Sequence, residues 1–174
     1  MGIQFETDYN METLTAMAKG LRRTVRKKRS RRVHIFAAVV LILGLLTILA
    51  TVAGGEPLGA SGVVTLLALL VLILATVFED RLNAWFARKR LLPGTEHAAA
   101  TFEEDGYVSA TGVTESRFSY AQIVAVAETA RYFVFALSSH HTQAYDKRTI
   151  RGGSVEDFRA FIDEKTGKLV ENIK

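Results

Sequence analysis

The sequence predicts a membrane α+β protein in which a two-helix transmembrane hairpin is inserted ahead of an antiparallel β domain closed by a C-terminal helix. Residues 33–55 and 57–78 carry no charged side chain, so nearly all of the 22 Lys and Arg and 18 Asp and Glu fall in the remainder of the chain. Basic residues crowd the outer ends of both apolar runs, while the link between them holds only Glu56. Residues 95–174 read as short alternating segments followed by one amphipathic segment. The chain also has no cysteine, which excludes a disulfide-stapled domain, a thiolate metal site and a cysteine nucleophile.

Residues 1–32 form the first element. Ile3-Gln4-Phe5-Glu6 alternates like a short strand, and Asp8 or Asn10 can cap a helix behind it. Met11, Leu14, Ala18, Leu21 and Val25 recur at three- and four-residue intervals, which makes one apolar stripe. The same helix is expected to continue into a polybasic run, Arg26, Lys27, Lys28, Arg29, Arg31 and Arg32. Such a run abutting a transmembrane helix has its anionic partner in the lipid headgroups, so nucleic acid is not expected as a partner.

Residues 33–55 are long enough as a helix to cross a hydrocarbon core of about 30 Å, and residues 58–78 match them. Neither run alternates as a barrel strand would. Glycines and Pro57 around the centre of the loop, 56–57, turn the pair into a tight hairpin. Thr51-Val52-Ala53 resembles a leader cleavage site, but the apolar run exceeds the roughly 7–15 residues of a leader core. Residues 79–94 extend the second helix to Leu92, where Pro93-Gly94 stops it. Here Trp85 and Phe86 suit the membrane interface, and Arg88, Lys89 and Arg90 complete the basic flank. The positive-inside bias puts both termini in the cytoplasm.

In residues 95–174 the expected strands are 97–103, 107–111, 114–120, 122–128, 132–137 and 141–145. Asp105-Gly106 is a hairpin turn, and the run from Tyr132 to Leu137 is apolar on both faces and therefore central. Ser154-Val155-Glu156-Asp157 opens a helix that buries Val155, Phe158, Phe161 and Ile162 and ends near Gly167. Six antiparallel strands and a closing helix suggest a sandwich or partly open barrel of the pleckstrin-homology type, with the N-terminal strand available as a seventh member.

The order of these features resembles the YcxB-like family of small bacterial membrane proteins. The matching stretches are Phe102-Glu103-Glu104-Asp105-Gly106-Tyr107, Phe118-Ser119-Tyr120-Ala121-Gln122-Ile123 leading to Glu128, Arg131-Tyr132-Phe133, and Lys147-Arg148 followed by 155–162. Asp146 stands where the family usually has a proline before that lysine. The resemblance implies a multi-pass protein of a bacterial plasma (inner) membrane with a pleckstrin-homology-like cytoplasmic domain, and it supplies no catalytic residue.

The chemistry-bearing residues are sparse. His140 and His141 point to opposite faces if extended; His97 could approach either across the sheet, but no carboxylate or histidine is held at helical ligand spacing and His34 falls at the membrane edge, so no metal is expected. Phosphate-cradling glycine loops and nucleophile elbows are absent from the sequence, and Glu103, Glu104 and Asp105 sit at a solvated hairpin tip. These features point away from an enzyme and from any cofactor. A membrane-tethered module that binds an unidentified protein partner is the leading expectation, and a lipid-sensing module at the inner leaflet is the alternative. The acidic tip disfavours headgroup binding in the first hairpin, leaving Lys147, Arg148 and Arg151 as candidate contacts to anionic lipid.

Overall fold

The computed structural model describes residues 2–173. Strand β1 (Ile3–Asp8) alternates buried and exposed residues as its sequence requires, turning Ile3, Phe5 and Thr7 inward. It pairs antiparallel with β2 (His97–Phe102), setting Phe5 opposite Ala100 across the intervening helices. Strands β3 (Tyr107–Thr111) and β4 (Glu115–Phe118) complete a sheet of order β1-β2-β3-β4. The N-terminal strand is thus a full member of the domain.

The second sheet has order β7-β6-β5-β8, built from β5 (Ala125–Glu128), β6 (Tyr132–Ala136), β7 (Thr142–Asp146) and β8 (Val170–Asn172). Every residue of β6 is buried, as expected for a strand covered on both faces. The edge of β1 joins this half of the domain. Gln4 and Arg151 exchange backbone hydrogen bonds of 2.9 and 3.0 Å, and the Asp146 amide donates to Thr7 Oγ1 at 3.1 Å.

Helix α5 (Val155–Thr166) follows β7, and its Phe158 is fully buried, with ring centroids 4.7 Å from Phe5, 4.8 Å from Phe102 and 5.0 Å from Phe133. It has the Ser154–Asp157 capping box at its start and Gly167 in the left-handed region at its end. One aromatic core therefore unites both sheets, the closing helix and β1.

Helix α1 (Met11–Arg23) begins where Asn10 Oδ1 accepts from the amides of Glu12 and Thr13 at 2.9 and 3.0 Å. It lies against β6 at a glycine: a Cβ on Gly20 would fall 2.7 Å from Val134 Cγ1. Helices α2 (Lys27–Ala53) and α3 (Ala60–Val77) are long and apolar enough to cross a membrane. Leu69 of α3 packs over Gly44 of α2, while Phe36, Leu49 and Val71 are more than 60% exposed. Apolar surface on this scale needs a partner other than water. Helix α4 (Glu79–Lys89) returns to α1.

Several elements differ from the sequence reading. The polybasic run is not a continuation of α1, because the chain turns at residues 24–26, where the Arg26 amide donates to Leu21 O at 2.9 Å, and then starts α2. Helix α4 is separated from α3 at Phe78 and ends at Lys89, with Arg90 as its cap, short of Leu92. Residues 120–122 form a 3-10 turn instead of the end of one expected strand, 114–120, and the start of the next, 122–128, because Tyr120 reaches back to the β2–β3 loop, its hydroxyl hydrogen-bonding Glu103 O at 2.6 Å and Gly106 O at 3.0 Å. The sixth expected strand runs to Asp146, whose carboxylate accepts from the Arg148 amide at 3.0 Å and opens the next turn. Strand β8 was not expected, and it pairs parallel with β5.

Candidate functional site

Helix α1 has a cleft on each of two faces. Leu14, Met17, Ala18 and Leu21 floor the first, a cavity of about 590 Å³ whose other walls come from the start of α2, from α4 and from the β6–β7 hairpin. Arg22 anchors the wall, with Nε 2.7 Å from Asp80 Oδ1 and Nη2 2.6 Å from Asp80 Oδ2, a bidentate pair between α1 and α4. That hydrogen bonding raises the Arg22 pKa above its ordinary value despite partial burial. Glu79 lies 3.8 Å from Arg22 Nε and 3.7 Å from His34 Nε2, which brings the start of α2 into the same network.

Three further arginines face this cleft: Arg26, Arg29 and Arg90. The Arg26 Nε donates to Ser139 O at 2.6 Å, and none of the three is ion-paired among the described residues. Ser30, Asn83 and His140 add hydrogen-bonding groups, and Val33 and Phe86 add apolar walls where the apolar helices begin. The second cleft, of about 690 Å³, lies between Met11, Thr15, Ala16 and Lys19 of α1, Arg81 of α4, the turn 129–131 and Ile173. Arg131 shapes its rim by donating to Asp146 Oδ2 at 2.8 and 3.0 Å and by pairing with Glu12.

The expected interface residues divide between these surfaces. Lys27, Lys28, Arg31 and Arg32 are exposed on the first turns of α2, whereas Arg26 and Arg29 line the first cleft. On α4, Arg88, Lys89 and Arg90 are exposed, and the Lys89 ammonium sits 3.6 Å over the Trp85 ring. Lys147, Arg148 and Arg151 each already face a carboxylate: Glu128 at 2.8 Å, Asp146 at 2.9 Å and Glu6 at 3.4 Å. At the acidic tip, Glu104 pairs with Lys165 at 2.6 Å.

The buried polar groups are committed to structure. Arg159 and Lys147 together surround Glu128 with three contacts of 2.8 Å, and this pulls its pKa from 4.5 down to about 2. Gln143 Oε1 accepts from the hydroxyls of Tyr107 and Tyr145 at 2.8 and 2.7 Å. Burial pushes both phenols well above their ordinary value. His97 is bonded to Asp8 at 2.8 Å and His140 to Ser139 at 2.7 Å, and no group of three or more metal-ligating side chains occurs among the described residues. The two clefts beside α1 combine basic side chains with apolar walls.

The first cleft is not visible in the sequence because its arginines come from two distant stretches, residues 22–29 and Arg90, joined only by the fold. Residues 102–162, from the end of β2 into α5, match the family described as YcxB-like protein. The match covers the central strands and leaves out β1, α1 and the apolar helices. No curated protein and no solved structure matches the chain.

Proposed function

We propose that this chain is a non-enzymatic, multi-pass protein of a bacterial plasma membrane, with both termini cytoplasmic, whose pleckstrin-homology-like domain is an interaction module held against the bilayer. A four-stranded sheet, a second sheet closed onto it by β1 and an α-helix plugging the aromatic core support the pleckstrin-homology-like reading. The basic flanks and the charge-free α2 and α3 support the topology.

One observation carries the interaction role: the 690 Å³ cleft between α1 and the β5–β6 turn has an apolar floor and two cations at its rim, Lys19 and Arg81, without ion pairs among the described residues. A partner segment with an apolar side chain and a neighbouring carboxylate fits that chemistry. A photo-crosslinking amino acid at Thr15 of the full chain in native membranes tests it. The reading requires a protein adduct at position 15 that disappears with Lys19→Glu and Arg81→Glu and is absent from Thr114. Equal adducts at both positions, or none, would reject it. The alternative, lipid binding, is favoured by the arginine-lined cleft.

A further inference from the structure

We infer that the cleft formed by Arg26, Arg29 and Arg90 is a binding site for the phosphate of an anionic phospholipid of the surrounding leaflet. Four arginines and one carboxylate, Glu79, line it; Asp80 and Glu79 both face Arg22, so the other three arginines leave the cleft net positive. Bringing the remaining three guanidiniums together costs Coulomb energy that an anion between them would reverse. The backbone adds to the demand. Helix α2 is 27 residues long, its N-terminus has no side-chain cap and no acidic residue in its first turn, and Lys27, Lys28 and Arg29 occupy that turn. A helix N-terminus carries partial positive charge and unsatisfied amides, so cations there are misplaced unless an anion joins them.

The hydrogen-bonding groups suit a phosphate ester. Planar guanidiniums bind phosphate oxygens two at a time, and Ser30, Asn83 and His140 can reach oxygens that the arginines leave free. The walls distinguish a lipid from a free anion. Val33 and Phe86 border the cleft and are 55% and 51% exposed, continuous with Phe36, which is 71% exposed on the apolar length of α2. An acyl chain leaving the headgroup therefore has an apolar track into the bilayer. This site lies on a different face of α1 from the partner cleft and stands whether or not a protein binds there.

The test uses the purified full chain in non-ionic detergent, titrated with dioctanoyl phosphatidylglycerol, dioctanoyl phosphatidylcholine and inorganic phosphate. Trp85, next to Phe86 and the chain's one tryptophan, reports binding by fluorescence. The expected result is saturable binding of phosphatidylglycerol at least about tenfold tighter than of the other two, and a loss of about tenfold or more in the double variant Arg29→Gln, Arg90→Gln. Both side chains are exposed, so the variant should keep the melting temperature of the unmodified chain without lipid. The variant Arg148→Gln, Arg151→Gln should bind normally. Equal binding of phosphatidylcholine would show apolar adsorption, equal binding of inorganic phosphate would show a free-anion site, and unchanged affinity in the Arg29, Arg90 variant would place the lipid elsewhere. Each of these outcomes overturns the proposal.

Discussion

Replacing Glu128 with glutamine removes one charge from the point where β5, the turn after β7 and α5 meet. The carboxylate is 6% exposed and accepts from Lys147 Nζ, Arg159 Nε and Arg159 Nη2, each at 2.8 Å. Its pKa falls from 4.5 to about 2 in the folded chain, which corresponds to about 3 kcal/mol of stabilisation when the group is ionised. Glutamine keeps the shape but leaves the Lys147 ammonium, 13% exposed, without its counter-charge. The cost of opening a buried pair this way is about 3–5 kcal/mol. At about 2–4 °C per kcal/mol for a chain of this length, a loss at the low end lowers the melting temperature by about 6 °C or more. Near-ultraviolet circular dichroism of the full chain in detergent, following the buried tyrosines, reads this directly. The pH dependence adds a sign. A folded pKa below the unfolded one gives stability that is present above about 4.5 and lost as pH falls toward 2, so the gap between the two proteins should narrow over that window. A melting temperature within about 2 °C of the unmodified chain at neutral pH would refute the reasoning.

Gly20→Val should lower stability by about 2 kcal/mol, because its Cβ meets Val134 at 2.7 Å and both residues are stiff; Gly20→Ala should cost less, since alanine recovers about 1 kcal/mol of helix propensity. Thermal melts of the two variants check the order. All five tyrosines titrate above their ordinary value of 10, mainly through burial, with Tyr9 raised to about 12. Absorbance at 295 nm should therefore stay flat through pH 10 and rise together with unfolding, since a raised phenol pKa makes stability fall once pH exceeds the unfolded value. Early, gradual ionisation would contradict the packing. Single cysteines in the cysteine-free chain test orientation: impermeant maleimide should label position 60 in intact cells and leave position 95 untouched until the membrane is opened.

The apolar helices were legible because a charge-free run of that length has few alternatives, and β1 was legible from the alternation Ile3-Gln4-Phe5-Glu6. The central place of β6 followed from its uninterrupted apolar run. Strand β8 was hidden because three residues, Val170–Asn172, carry too little pattern, and its parallel pairing depends on the path of α5. Residues 120–122 misled because Tyr120 suits a strand locally, and a tertiary bond to the β2–β3 loop decides otherwise. The arginine cleft was illegible for a related reason. Arg26 and Arg29 read as a topology signal, and only the turn at residues 24–26, the return of α4 and the β6–β7 loop bring Arg90 and His140 beside them. The partners of Lys147 and Arg151 are equally tertiary, lying on β5 and β1, whereas Arg148 pairs locally with Asp146, two residues earlier.

Strand β1 pairs with β2 although both long apolar helices lie between them in the chain, so the two-sheet domain is complete only when the segments on either side of the helices come together. Cysteines at Gln4 and Thr101, which face each other across β1 and β2, test this in the full chain after a protease site is placed in the 54–59 loop. After oxidation in membranes and cleavage, the two fragments should remain joined on a non-reducing gel and separate on reduction, while cysteines at Gln4 and Thr114 should leave them separate. Fragments that part without reduction in the Gln4, Thr101 protein would contradict it.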